Sequence, residues 1–284
     1  MHGAVLIGPA SLDRYLDGNG TLVTALPGGG ALNMAYHWSR TGTDALFVTR
    51  VGEPDAELFR SFLVRHGIPH LADQIVGRGP SASIDIRTRA DRQPFMDNFV
   101  EGVWAGFRLT PDERKAVGAA KHLHCVLVEP VIAELGSLGD EGVLGATDVS
   151  ADFLSFVHYD VERFAGTMHH VDLAFIGWQH ERDHPTLDGI REVVWAQRKL
   201  AVITHGADGV LVVDGRDGAR TQHWEPVDAV EVQGTTVGCG DAFIAAFLGE
   251  WWADRGMAAS LAAGKAAGAA ATTWMRPLPD EAYG

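Results

Sequence analysis

Two cysteines in 284 residues, Cys125 and Cys239, cannot build a disulfide framework. A reducing, cytoplasmic setting is the expectation. Basic residues are also scarce. Against 37 Asp and Glu stand 23 Lys and Arg, a formal net charge of −14. That balance argues against a nucleic-acid face and against an anionic membrane surface. Any anion the chain handles must be held locally, by a few donors. No apolar run approaches the ~20 residues of a membrane helix. The opening Met1-His2-Gly3-Ala4-Val5-Leu6-Ile7-Gly8 lacks the basic n-region and the apolar length of a secretory signal. Glycine, by contrast, is plentiful, with 34 residues. That exceeds the usual ~7% and implies tight turns and close backbone approaches.

Short apolar runs alternate with helical patterns. Residues 4–7, 45–51, 122–128, 143–147, 171–176 and 201–204 read as strands, several of them apolar throughout, as strands covered on both faces are. Leu58, Phe59, Phe62 and Leu63 form one helical stripe after a plausible Asp55 N-cap, and Gly67 ends it. Phe243, Phe247 and Trp251 recur every four residues in another helix. The alternation predicts an α/β fold with a largely parallel sheet. Ser83-Ile84-Asp85-Ile86-Arg87 alternates instead, and Ala90-Asp91-Arg92 offers a turn toward residues 93–99. This reads as a projecting antiparallel hairpin, a candidate lid. One α/β domain over 1–284, with lid segments around 10–27 and 81–104, is the expected organisation.

The sharpest chemical signal is Thr235-Thr236-Val237-Gly238-Cys239-Gly240-Asp241 between an expected strand over 227–232 and a long helix. A loop of small residues at a helix N-terminus presents free N–H groups and the positive end of the helix dipole. It can bind phosphate without basic side chains. Asp241, in the first turn, can take a proton from a hydroxyl nucleophile; as plainly, it can be a cap on a turn. The same placement predicts a depressed pKa and high reactivity for the Cys239 thiol. Gly28-Gly29-Gly30-Ala31-Leu32-Asn33 forms a second cluster, with Asn33 a donor and acceptor for sugar hydroxyls or else a surface residue. Thr204-His205-Gly206-Ala207-Asp208-Gly209, between two apolar strands, is weak alone. Phe243 excludes a dinucleotide fingerprint, and Ala266 after Gly264-Lys265 excludes a P-loop. His180-Glu181-Arg182-Asp183-His184 matches the zinc-protease pattern, but Pro185 biases His184 away from the helix that chemistry needs.

In order, these clusters resemble the ribokinase-like sugar kinases of the phosphofructokinase-B family. Gly28, Gly29 and Asn33 resemble its N-terminal signature, residues 51–55 its Val-Gly-x-Asp segment, and His66-Gly67-Ile68 its helix end. Residues 204–209 resemble its nucleotide loop, and Gly238-Cys239-Gly240-Asp241 its Gly-Ala-Gly-Asp. Residues 97–109 and Asp148-Val149-Ser150 are similar to stretches of the fructoselysine 6-kinase branch.

The resemblance implies a three-layer fold with a small β lid and phosphoryl transfer from ATP to a sugar hydroxyl. Asp241 would be the base, and Gly238, Cys239 and Gly240 the anion hole. Asp13, Gly28, Gly29 and Asn33 would hold the sugar, and Thr204, Gly206 and Gly209 the nucleotide. Glu101 is the candidate partner for a fructosamine amine. Mg²⁺ is implied on the phosphates. Two departures stand out. Thr235 replaces the aspartate tied to monovalent-cation sites, and the Asn of Asn-x-x-Glu is missing near 177–181, leaving Glu181 as a candidate magnesium ligand. A homodimer through the lid is also implied, with Ile84 and Ile86 as its apolar face. A nucleoside kinase of the same fold, a sugar-binding regulator without turnover and, distantly, a metalloprotease remain alternatives.

Overall fold

The computed structural model describes residues 2–89 and 92–284, so Ala90 and Asp91 of the expected hairpin turn lie outside the described residues. The strands are β1 (Ala4–Ile7), β2 (Ser11–Leu16), β3 (Leu22–Gly28), β4 (Ala45–Val48), β5 (Val51–Gly52), β6 (Val76–Gly77), β7 (Ala82–Thr88), β8 (Pro94–Val100), β9 (His122–Val126), β10 (Asp148–Asp152), β11 (Leu173–Gly177), β12 (Leu200–Thr204), β13 (Val210–Asp214) and β14 (Thr221–Glu225). The helices are α1 (Gly30–Thr41), α2 (Ala56–Arg65), α3 (Pro111–Ala119), α4 (Glu129–Asp140), α5 (Val161–Met168), α6 (Pro185–Ala196), α7 (Cys239–Trp252) and α8 (Gly256–Ala271).

Eight strands form the main sheet in the order β14-β13-β12-β11-β10-β9-β1-β4. From β4 to β12 the pairings are parallel, and β13 and β14 continue the sheet antiparallel. β1, β4, β11 and most of β12 are apolar on both faces because each face carries helices. Val5 and Ile7 pack with Val131 and Leu135 of α4 and Phe164 of α5 on one side. Leu6 and Phe47 pack with Trp38 of α1, Phe59 of α2 and Phe247 of α7 on the other. The result is a three-layer ribokinase-like α/β architecture. Trp38 Nε1 donates to the Ala245 carbonyl at 2.9 Å, which locks α1 to α7. No helix is long and apolar enough to cross a membrane among the described residues.

A second sheet, β3-β2-β7-β8, stands over one end of the first. It joins both expected lid segments through the parallel β2–β7 pair. Ile84 and Ile86 line the cleft beneath it, and Ile86 is buried. The apolar face expected to meet a second subunit is therefore turned inward.

Two expected strands differ. Residues 143–147 form a loop, and the strand is β10, one segment later. Gly142 and Gly145 have positive φ (71° and 46°), and the Thr147 hydroxyl donates to the Ala120 carbonyl instead of entering a ladder. Residues 227–232 are not a strand either. Val230 is exposed, and β14 takes the sheet edge beside β13.

Candidate active site

In a parallel sheet, loops gather where the strands' carboxyl ends meet helix N-termini, and ligands bind there. Here that edge opens into a cleft of about 860 Å³ under the small sheet. Val126 to Val128 after β9, Asp152 closing β10, Gly177 closing β11 and Thr204 closing β12 form its floor.

The first turn of α7 enters this cleft. Gly238 caps the helix in the left-handed region, φ 79°, and a Cβ there would stand 2.7 Å from Pro277 Cα. Both the backbone angle and the space demand glycine. Ala242 N–H donates the first helical bond, to the Gly238 carbonyl at 2.9 Å. The amides of Gly240 and Asp241 precede it in the first turn, and both residues line the cleft. A Cβ on Gly240 would meet nothing within 4 Å, so an incoming anion has room there.

Cys239 departs from its expected part. Its N–H already donates to the Thr236 carbonyl at 3.3 Å, and the residue is not among those lining the cleft. Burial, then the Asp241 charge, push its thiol up to about 11, opposite to the depression expected at a helix N-terminus. Desolvation outweighs the dipole. Labelling by iodoacetamide at pH 8 is therefore expected to be at least roughly tenfold slower than for free cysteine, whose pKa is about 8.5. Fast modification of the native chain, mapped to Cys239, would contradict this placement.

Across the cleft, α1 brings Asn33 to Asp241. Its Nδ2 donates to Asp241 Oδ2 at 2.7 Å, linking positions 208 residues apart. Asn33 is buried, so the surface reading of that residue falls away. Gly29, with φ 96°, caps α1; a Cβ there would sit 2.7 Å from the Pro9 carbonyl. Burial raises the Asp241 carboxyl, and the Asn33 bond pulls it partly back.

Asp13 lies at the bottom of the cleft, 4% exposed. A Cβ on Gly28 would fall 2.1 Å from its Oδ2, so glycine at 28 makes room for the carboxylate. Burial and, less strongly, the Asp241 charge push Asp13 up to about 7, against lowering bonds from Ser11 and the Gly29 amide. Glu101, at the far end of β8, is exposed and lines the same cleft.

Asp152 has no counterpart in the sequence reading. It lines the floor, and burial with the Asp241 charge pushes it up to about 7, while the Leu154 N–H donates to its Oδ1 at 2.8 Å. The only signal was its place four residues after Asp148, at a strand end that sequence reasoning set one segment too early.

Of the expected nucleotide loop, Thr204 lines the cleft, while Gly206 and Gly209 shape the turn behind it. Gly209 adopts φ 143°, and a Cβ would collide with the Trp224 ring at 2.6 Å. Glu181 does not reach the site. It is exposed, its carbonyl accepts from Trp178 Nε1, and Gln179 occupies the cleft wall. His184 is extended (φ −61°, ψ 130°) and caps α6, which begins at Pro185, so His180 and His184 share no helix. No group of three His, Cys, Asp or Glu side chains able to hold a metal occurs among the described residues.

The tip of the β7–β8 hairpin reaches the loop before α7. Thr235 Oγ1 donates to the Arg92 carbonyl at 3.3 Å, and Thr236 Oγ1 to Gln93 Oε1 at 2.8 Å.

Known proteins resemble this chain on both counts, sequence and fold. Residues 176–276 match the pfkB family carbohydrate kinase. Fructoselysine 6-kinase from Escherichia coli (strain K12) is 26% identical over 258 residues, 90% of this chain and 94% of that protein. Among solved structures, adenosine kinase from Sinorhizobium meliloti superposes with a TM-score of 0.80 at 19% identity, covering 98% of this chain and 96% of that one. Ribokinase from Arabidopsis thaliana, complexed with ribose and ATP, gives 0.76 at 17% identity, over 98% and 96%. The chain thus carries the ribokinase-like fold and, over residues 176–276, matches the pfkB family carbohydrate kinase model.

Proposed function

We propose that the protein transfers the γ-phosphoryl group of ATP to a hydroxyl of a sugar or sugar derivative. The observation that carries this reading is the Asn33–Asp241 pair set against the glycine-capped start of α7. A base and an anion-binding turn face one cleft. Asp241 takes the acceptor's hydroxyl proton, the acceptor oxygen bonds to the γ-phosphorus, and the bridging P–O bond to ADP breaks. The Gly240 and Asp241 amides stabilise the charge that spreads over the transferring oxygens. Asn33 holds Asp241 Oδ2 and so directs its other oxygen.

Magnesium on the nucleotide fits the residues present. This ion keeps waters and phosphate oxygens as ligands and takes one or two carboxylates, so a preformed cage is unnecessary. Asp152, buried beside the charge of Asp241, would be its protein contact. When bound, it would withdraw charge from the transferring group.

Within this reading, a fructosamine acceptor, the class to which fructoselysine belongs, is supported by the 26% identical relative and by Glu101 on the cleft wall. A nucleoside acceptor is supported by the apolar wall of Phe95, Met96 and Phe99. An ADP-release screen with ATP over free sugars, amino sugars, fructosamines and nucleosides tests the proposal. Phosphorylation of none of them would refute it.

The hairpin tip acts as a latch in this scheme, closing the site against water. Thr235→Val removes one of its bonds, worth about 0.5–1.5 kcal/mol. The acceptor KM is expected to rise roughly two- to tenfold with thermal stability little changed; an unaltered KM would detach the tip from closure.

A further inference from the structure

The charge of the cleft's lining restricts the acceptor more sharply than the fold does. Five carboxylates line it: Asp13, Glu101, Glu129, Asp152 and Asp241. Among the described residues lining it, none is Lys or Arg. Of the five, Glu129 is neutralised from outside, by Arg163 at 2.6 Å. Arg14 and Arg87 of the small sheet are held by carboxylates, Arg14 by Asp85 at 3.3 Å and Arg87 by Asp97 at 2.8 Å. Arg89 stacks on a ring that lines the cleft, that of Phe95, at 5.1 Å. Arg92 is anchored by its carbonyl to Thr235, at the nucleotide end.

The nucleotide's phosphates have the amide turn of α7. A second anion, carried by the acceptor, would lie against Asp13, Asp241 and Glu101 with no Lys or Arg among the described lining residues to meet it, and His158 as the one imidazole among them. Like charges in a low-dielectric site exclude the wrong partner strongly. The other wall is apolar. Ile84, Pro94, Phe95, Met96 and Phe99 line it, and Phe95, Met96 and Phe99 remain 39%, 45% and 47% exposed. A bare sugar leaves that surface wet. An aliphatic arm on an ammonium facing Glu101 covers it.

We propose that the preferred acceptor is a sugar whose ammonium group carries an apolar arm and which has no anionic group, which excludes sugar phosphates and disfavours amino-acid adducts. The inference rests on the kinase reading for its acceptor but not for its binding rule. It therefore needs two readouts on the full chain. Phosphorylation with ATP is measured for fructose, 1-butylamino-1-deoxyfructose, fructoselysine, fructose 6-phosphate and adenosine, and calorimetry follows the same compounds without nucleotide. The butylamine adduct is expected to exceed fructose, fructoselysine and adenosine at least roughly tenfold in kcat/KM and in affinity, about 1.4 kcal/mol. Fructose 6-phosphate should neither bind nor react measurably. Preference for fructoselysine, adenosine or the sugar phosphate in both readouts overturns the charge rule. Selective binding of the butylamine adduct with no phosphorylation of any compound upholds the rule and overturns the kinase reading instead.

Discussion

Asp241→Asn is expected to lower kcat by about 10²–10⁴-fold, the range that a positioned general base supplies. The substitution keeps the volume, so Gly30, whose Cβ position lies 3.0 Å from Asp241 Oδ1, stays uncrowded. The amide oxygen can still accept from Asn33 Nδ2, a bond of 2.7 Å in the native chain. The anion turn of Gly238 and Gly240 is untouched, so ATP affinity should change little. Folding stability should hold or rise, because a buried carboxyl whose ionisation is disfavoured has been replaced by a neutral group. Rapid-quench or coupled assays of ADP release, with a melting curve beside them, check both parts. Turnover at the wild-type rate would remove Asp241 from proton transfer. A loss accompanied by collapse of ATP binding would make it a structural residue of the turn.

The parts that were legible in the sequence are those where one physical requirement governs several residues. Ala4–Ile7 and most of Leu200–Thr204 are apolar because helices cover both faces, and that is visible without a structure. Gly238 and Asp241 mark the start of α7 because a left-handed cap and a first-turn acid are local demands. The failures arise where a long-range contact decides. β10 alternates Asp148, Ser150 and Asp152 with apolar residues: Asp152 ends in the cleft, Ser150 is bonded to His124 and Asp148 lies beside His122. The flanking apolar stretch 143–147 looked more like a strand. Val230 and Val232 alternate around Glu231 like a strand, yet the sheet edge is taken by polar β14. Cys239 obeys the helix dipole in isolation, but burial and the neighbouring charge of Asp241 reverse the outcome. Glu181 stands exposed and outside the cleft lining, and no local pattern records that.

Asp152→Asn should stabilise the free protein, and by more at pH 7.5 than at pH 5.5. Burial, aided by the Asp241 charge, puts the Asp152 carboxyl at about 7 in the folded chain. An unfolded Asp titrates near 3.9. Between those values the native chain binds more protons than the unfolded one, so stability falls as pH rises through the window. The penalty is absent below about pH 4 and complete above about pH 7, from the same two values. The raw curve of the wild type hides this. Burial lowers His37 to about 4 and His124 to about 3, and buried neutral histidines oppose the trend, losing stability as pH falls below their unfolded value. Comparing variant with wild type at each pH cancels the histidines and leaves the carboxyl. One proton over about 1.5 pH units corresponds to a gain about 2 kcal/mol larger at pH 7.5 than at pH 5.5. The amide oxygen of the substituted side chain keeps the acceptor for the Leu154 N–H, so the turn after β10 survives. Urea midpoints at the two pH values measure the difference directly. An equal gain at both, or a loss that grows with pH, would mean that Asp152 is already ionised and compensated in the free protein, and it would no longer be a carboxylate waiting for a cation.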